Sequence, residues 1–293
     1  MTDPAYPLIA LMVVSLVLIQ LNQRYDSPIL AILNRWLRWL IFAFGAAYIV
    51  ADFEWIDRPY WVLVGAFFLV WFLGETLYNW LAISALSLSP LPLFPRYQLN
   101  PNGDEWPTHK RFLRIRDWLR ANGFKSVQPL RAELAQGIYL RASVYQDADA
   151  KLRVQVVFFP APGGTITVSY VLTSITAGGF RYVTDNLHIP FGGFYPEDWS
   201  VERLPWTRGL SKLVARHRTR LTLDGMMPVS FSQEPLADIN LSQHQLDQLN
   251  TEMGFLVAQP EREERGKITQ QGRYRVWKEI WTLDYFGRSA RYQ

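Results

Sequence analysis

The sequence has no cysteine, which excludes a disulfide, a cysteine–zinc site and a thiol nucleophile. Histidine is scarce: His109, His188, His217 and His244 are the four, and none are spaced as a metal-binding pair. Neither a phosphate-cradling Walker A loop nor a G-x-S-x-G, H-E-x-x-H or G-x-G-x-x-G pattern occurs. Charge is thin at the front. The first 95 residues carry Arg24, Arg35, Arg38 and Arg58, no lysine, and six acids. The remainder holds 26 of the 30 Lys and Arg residues and 20 of the 26 Asp and Glu residues, a net +6. With 49% hydrophobic residues the chain is too apolar for disorder. An apolar front joined to a charged back excludes a plain soluble enzyme.

What the front does have is three long apolar runs. Ala5 to Gln23 contains no charge, and a helix of that length reaches about 28 Å, close to the thickness of bilayer hydrocarbon. No Lys or Arg precedes it and no small-x-small site follows, the pattern of a retained helix and not of a cleaved signal. Ser27-Pro28 has the chemistry of a helix start, so a second helix is expected over 28–51. Asp52, Glu54 and Asp57 end it, and a third is expected over 60–86. Arg24, Arg35 and Arg38 cluster at the first connection, and Arg96, Lys110 and Arg111 follow the third helix. Positive charge stays in the cytoplasm. The reading is therefore a multi-pass protein of the cell membrane, of bacterial inner-membrane type. Its N-terminus and acidic hairpin lie outside and its C-terminal region inside.

Glu75 is the one acid inside a spanning segment, roughly 22 Å along the helix from Tyr60. Arg35 and Arg38 fall at a matching depth on the second helix, which favours a structural ion pair over a proton relay. Asn79 shares the face of Glu75 and can add an interhelical hydrogen bond.

Behind the transmembrane region (1–88), five prolines between 89 and 107 make a semi-rigid spacer. A cytoplasmic α+β domain is expected over 108–293. Two basic amphipathic helices belong to it. One follows Thr108, with Phe112, Ile115 and Leu119 on its apolar face and Lys110, Arg111 and Arg114 elsewhere. The other, Arg208 to Leu221, sets Leu210, Leu213, Val214, His217 and Leu221 against Lys212 and Arg216. Such charges usually mark a solvated face. The sharper alternative is contact with anionic lipid or a phosphorylated ligand, because the domain is tethered near the leaflet.

Between these helices the apolar period changes from 3.6 to 2. Runs at 138–144, 152–158, 165–176 and 180–184, joined by short polar or Gly/Pro turns, predict a four-stranded antiparallel meander with one face buried under helices. Met227 to Phe231 is a further candidate strand, Ser242 to Met253 a helix, and Gly272 to Phe286 a closing helix over the sheet. The densest polar cluster is Thr184, Asp185, Asn186 and His188, leaving the last strand of the meander. Convergence with His217 would give a metal site or an acid–base pair; local turn bonding and packing are the plainer account. No metal or cofactor is expected. No helix-turn-helix, RNP or zinc pattern accompanies the basic helices, so nucleic acid is not an expected partner.

The leading functional expectation is a non-enzymatic, membrane-anchored adaptor or assembly subunit. Its partners would be the bilayer, anionic lipid, and a ligand or protein in the membrane or cytosol. The competing one is a membrane-tethered enzyme using Asp185, His188 or His217 on a lipid-linked or phosphorylated substrate. A third is a membrane sensor, for which the short outside loop leaves little room to hold a ligand.

Overall fold

The computed structural model describes residues 5–25, 27–160 and 166–289. Helices α1 (Ala5–Tyr25), α2 (Pro28–Asp52) and α3 (Tyr60–Leu88) open the chain. All three are long and apolar enough to cross a membrane. Pro28 stands at the start of α2, where its missing N–H costs nothing. The helices pair through few side chains. Ala43 and Ala47 are fully buried and let α2 approach α3, where Val50 and Leu63 close the contact. Trp39 stacks on Phe68 at 4.4 Å and donates its indole N–H to the Phe68 carbonyl at 3.0 Å. Between α1 and α2, the buried Ser15 hydroxyl donates to Asn34 at 2.7 Å. Leu16, Leu69, Leu73 and Leu77 point outward and stay exposed, as on a surface suited to lipid.

The rest of the chain contains, in order, β1 (Tyr97–Leu99), α4 (Lys110–Ala121), β2 (Lys125–Ala135), β3 (Ile138–Gln146), β4 (Arg153–Pro160), β5 (Ile166–Thr176), β6 (Arg181–Asp185), β7 (Trp199–Arg203), α5 (Leu210–Leu223), β8 (Pro228–Val229), α6 (Pro235–Glu252), α7 (Arg262–Arg265) and α8 (Gln270–Phe286). The sheet corrects the four-stranded expectation. It has eight strands in the order β1 to β7, with β8 paired to the end of β5. All neighbours are antiparallel except β6 and β7, which run parallel. The missed strands lack the alternating signal. β1 is three residues inside the Pro-rich stretch. β2 carries Lys125, Pro129, Arg131 and Glu133 and is broken by two register shifts. β7 is half-buried along its whole length. The candidate strand over Met227 to Phe231 is present as the two residues of β8. The Pro/Gly turn expected over 161–164 lies outside the described residues.

Both faces of the sheet are covered. On one, Phe112 and Leu119 of α4 and Leu210, Leu213 and Val214 of α5 pack on Val154, Val156, Phe158, Tyr170 and Leu172. On the other, Ile239 of α6 packs on Leu130, Ala132, Leu140, Ala142, Val144 and Val157. Even-numbered residues of β4 face the first layer and Val157 the second, the period expected of a strand. The helix expected to close over the sheet goes elsewhere. α8 starts at Thr269, whose hydroxyl accepts from the Gly272 N–H at 3.0 Å, and ends at Gly287 with φ 61°. It lies along α2 and α3, with Val276, Trp277 and Ile280 against Ile83. Its aromatic and aliphatic stripe finds its apolar partner there because the sheet faces are already occupied.

Candidate functional site

The described structure gathers charge where α2, α3 and α8 meet. Arg35 of α2 reaches Glu75 of α3 at 3.2 Å and Asp284 of α8 at 2.5 Å. The Tyr285 hydroxyl and the Trp71 indole both donate to Oε2 of Glu75, the latter at 2.9 Å. Trp36 donates to the Tyr285 carbonyl at 3.1 Å and meets its ring edge-on at 5.1 Å. Trp39 and Phe72 enclose Trp281 at 5.8 and 5.2 Å. Apolar walls strengthen each polar contact by excluding water. Arg35 is the cation Glu75 meets; Arg38 is exposed and makes no ion pair among the described residues. Asn79 is buried on the same side of α3 as Glu75 and Ile83.

Lower on α3, Arg273 reaches Ser84 and Ser87 at 3.3 and 3.4 Å, and the Ile268 N–H donates to the Ser87 hydroxyl at 3.0 Å. Lys267 donates to the Ser89 carbonyl at 2.6 Å and to that of Leu91. Arg208, just before α5, donates to the Tyr25 carbonyl at the end of α1 at 3.2 Å. The sheet region is thus bonded to all three helices, at the end opposite the acidic connection.

The polar cluster at the end of β6 divides into four separate environments. Thr184 and His217 do meet: Nδ1 of His217 is 2.9 Å from the Thr184 hydroxyl and Nε2 is 3.0 Å from that of Ser174. Arg220 also donates to the Thr184 hydroxyl, at 2.7 Å. Burial, aided by Arg220 and Arg218, pushes the His217 pKa down to about 3, so its ring is neutral. Asp185 turns to Arg203 at 3.3 Å and accepts the Leu187 N–H at 2.9 Å. Burial raises its pKa against the pull of Arg203. Arg203 in turn lies 3.9 Å from the fully buried Glu279 of α8. Asn186 bridges the Tyr170 N–H and the Thr207 carbonyl at 2.7 and 3.0 Å. His188 stands apart, half exposed and 3.6 Å from Asp284. No group of three or more His, Asp or Glu among the described residues has a metal-holding arrangement.

The basic faces of α4 and α5 belong to the same helical layer. Lys110, Arg111, Arg114, Lys212 and Arg216 are all exposed. Arg111 is drawn to the Ile166 carbonyl at 3.2 Å, and Arg216 grips Glu202 through two nitrogens at 2.5 and 2.9 Å. On the other side, the buried Asp238 of α6 takes Arg153 at 2.5 Å and Arg181 closer still. A cleft of about 200 Å³ opens beside it, lined by Arg181, Asp198, Trp199, Phe231 and Gln245.

Sequence reasoning missed Asp284, Tyr285, Asp238 and two asparagines of α6. Asn240 exchanges two 2.8 Å bonds with the backbone of Tyr97, and Asn250 does likewise with Phe194 at 2.7 and 3.0 Å. Each mimics a neighbouring strand, a role no local pattern announces. Comparison with known proteins finds no matching family model, no matching curated sequence and no matching solved structure.

Proposed function

We propose that this chain is a membrane-anchored, non-enzymatic adaptor or assembly subunit. Its three helices cross a cell membrane of bacterial inner-membrane type, with the N-terminus outside. Its α+β domain stands on the cytoplasmic side as a binding platform for a ligand or a protein. The observation that carries this reading is the union of α8 with α2 and α3 through Arg35, Glu75, Asp284 and Tyr285. A domain joined this firmly to its anchor is held at one height and one orientation, which serves the display of a binding surface. The arginines near the first connection and the acids of the second support the orientation. His217, Asp185 and Asn186 are buried in structural bonds, which also favours a scaffold over a reaction centre.

Crosslinking in intact membranes, followed by purification of the full chain in mild detergent, tests the assignment. A protein recovered in fixed proportion, and lost when the exposed Lys212 or Arg216 is reversed in charge, supports it. A chain recovered alone that turns over a lipid-linked or phosphorylated compound establishes the competing enzyme; the cleft beside Arg181 is where such a compound would be sought.

A further inference from the structure

The depth at which α8 meets the bundle has a consequence for how the domain sits. Tyr60 and Trp61 mark the outer end of α3, next to Asp52, Glu54 and Asp57. From there the hydrocarbon layer, about 30 Å thick, extends some 20 residues and ends near Asn79 and Trp80. α8 passes that line. Trp281 lies 5.2 Å from Phe72, and Tyr285 bonds to Glu75. Phe72 and Glu75 are only about 18 and 22 Å along α3 from Tyr60. The last two turns of α8 therefore stand roughly 8–12 Å inside the inner boundary.

Two loops of the sheet region come with it. His188 approaches Asp284, which places Ile189 next to the end of α8. Trp206 lies directly on Gly287, where a Cβ would fall inside its indole ring. Ile189, Trp206 and Phe286 are 46%, 44% and 59% exposed, large apolar side chains left uncovered by the described residues. The charges nearby are neutralised or can reach water. Arg35, Glu75 and Asp284 pair with one another, and Arg208 bonds to the Tyr25 carbonyl at the helix end. The exposed Arg288, two residues past Phe286, carries its guanidinium on a stem long enough to reach the headgroups.

We propose that the α+β domain is wedged into the inner leaflet: the end of α8 and the loops carrying Ile189 and Trp206 enter the acyl-chain region. The proposal rests on the spanning reading above. Burying these three side chains in lipid removes apolar surface from water, the same gain that anchors interfacial helices.

The absence of cysteine makes the test direct. Ile189→Cys and Phe286→Cys, both at exposed positions, are spin-labelled one at a time in the full chain in phosphatidylethanolamine–phosphatidylglycerol vesicles. Collision with oxygen, which dissolves in lipid, is compared with collision with a water-soluble nickel chelate. Labels at 189 and 286 are expected to favour oxygen, whereas labels at the exposed Leu223 and Met227 favour nickel. Labels at 189 and 286 that favour nickel overturn the proposal if Leu16→Cys and Leu73→Cys still favour oxygen. Nickel preference at Leu16 and Leu73 as well overturns the spanning reading, and the wedge with it.

Discussion

The helical bundle and the sheet region bury charge in opposite ways. In the sheet region, Arg153 and Arg181 converge on Asp238, with Arg153 and Asp238 almost wholly hidden. That cluster ties α6 to β4 and β6, within one folded body. At the bundle, Arg35 is 28% and Glu75 15% exposed, and the third partner, Asp284, comes from the far end of the chain. The first arrangement fastens a core; the second fastens one region to another. Apolar packing follows the same division. The sheet hides large apolar residues on both faces, while α1 to α3 bury few side chains, among them Ala43, Ala47, Trp39 and Leu63, and present many large ones outward. Apolar burial holds the sheet region together, and matched polar contacts position it on the helical bundle.

The contrast is broken most severely at Asp238. Asp238→Ala leaves two buried guanidiniums without their anion, and a loss of about 3–5 kcal/mol is expected in chemical unfolding of the full chain. Arg35→Met should cost less, roughly 1–3 kcal/mol, because Glu75 keeps its bonds from Tyr285 and Trp71. Its effect should also be local. Amide exchange should accelerate along α8 and leave β3 and β4 protected; uniform loosening of both would remove the distinction between the clusters.

The smallest effect is a titration. His217 has its pKa lowered from 6.5 in the unfolded chain to about 3 in the fold. The unfolded state therefore binds the extra proton, and stability is complete above the unfolded value and falls as pH drops toward the folded one. Between pH 6.5 and about 5.5 the loss should be about 1 kcal/mol. His217→Gln should flatten that slope in melting curves of the full chain. An unchanged slope would assign the acid sensitivity to other groups.

The parts visible from sequence are those with local causes. α1 to α3 are written in apolar runs closed by Asp52, Glu54 and Asp57, and Ser27-Pro28 marks the start of α2. The strands β3 to β6 alternate cleanly and were readable; β2 hides its alternation behind Pro129 and its register shifts. Glu75 stood out as an isolated acid, and Arg35 as a cation at its depth. Asp284 and Tyr285 did not, because they are more than 200 residues away in sequence and resemble any helix surface. The destination of α8 was hidden for a related reason. An apolar stripe shows that a helix packs against something, and only the two covered faces of the sheet show that the something is α2 and α3. At the end of β6, sequence proximity suggested one site; the strand period sends Thr184 and Asp185 to opposite faces, and the cluster separates.

The central claim is that the three helices span the membrane and leave the acidic connection and the α+β domain on opposite sides of it. In whole cells, Asp57→Cys and Met227→Cys, each the chain's single thiol, can be exposed to a membrane-impermeant maleimide. The account predicts labelling at 57 in intact cells and at 227 after permeabilisation alone. Labelling at 227 in intact cells, with 57 protected, would contradict it.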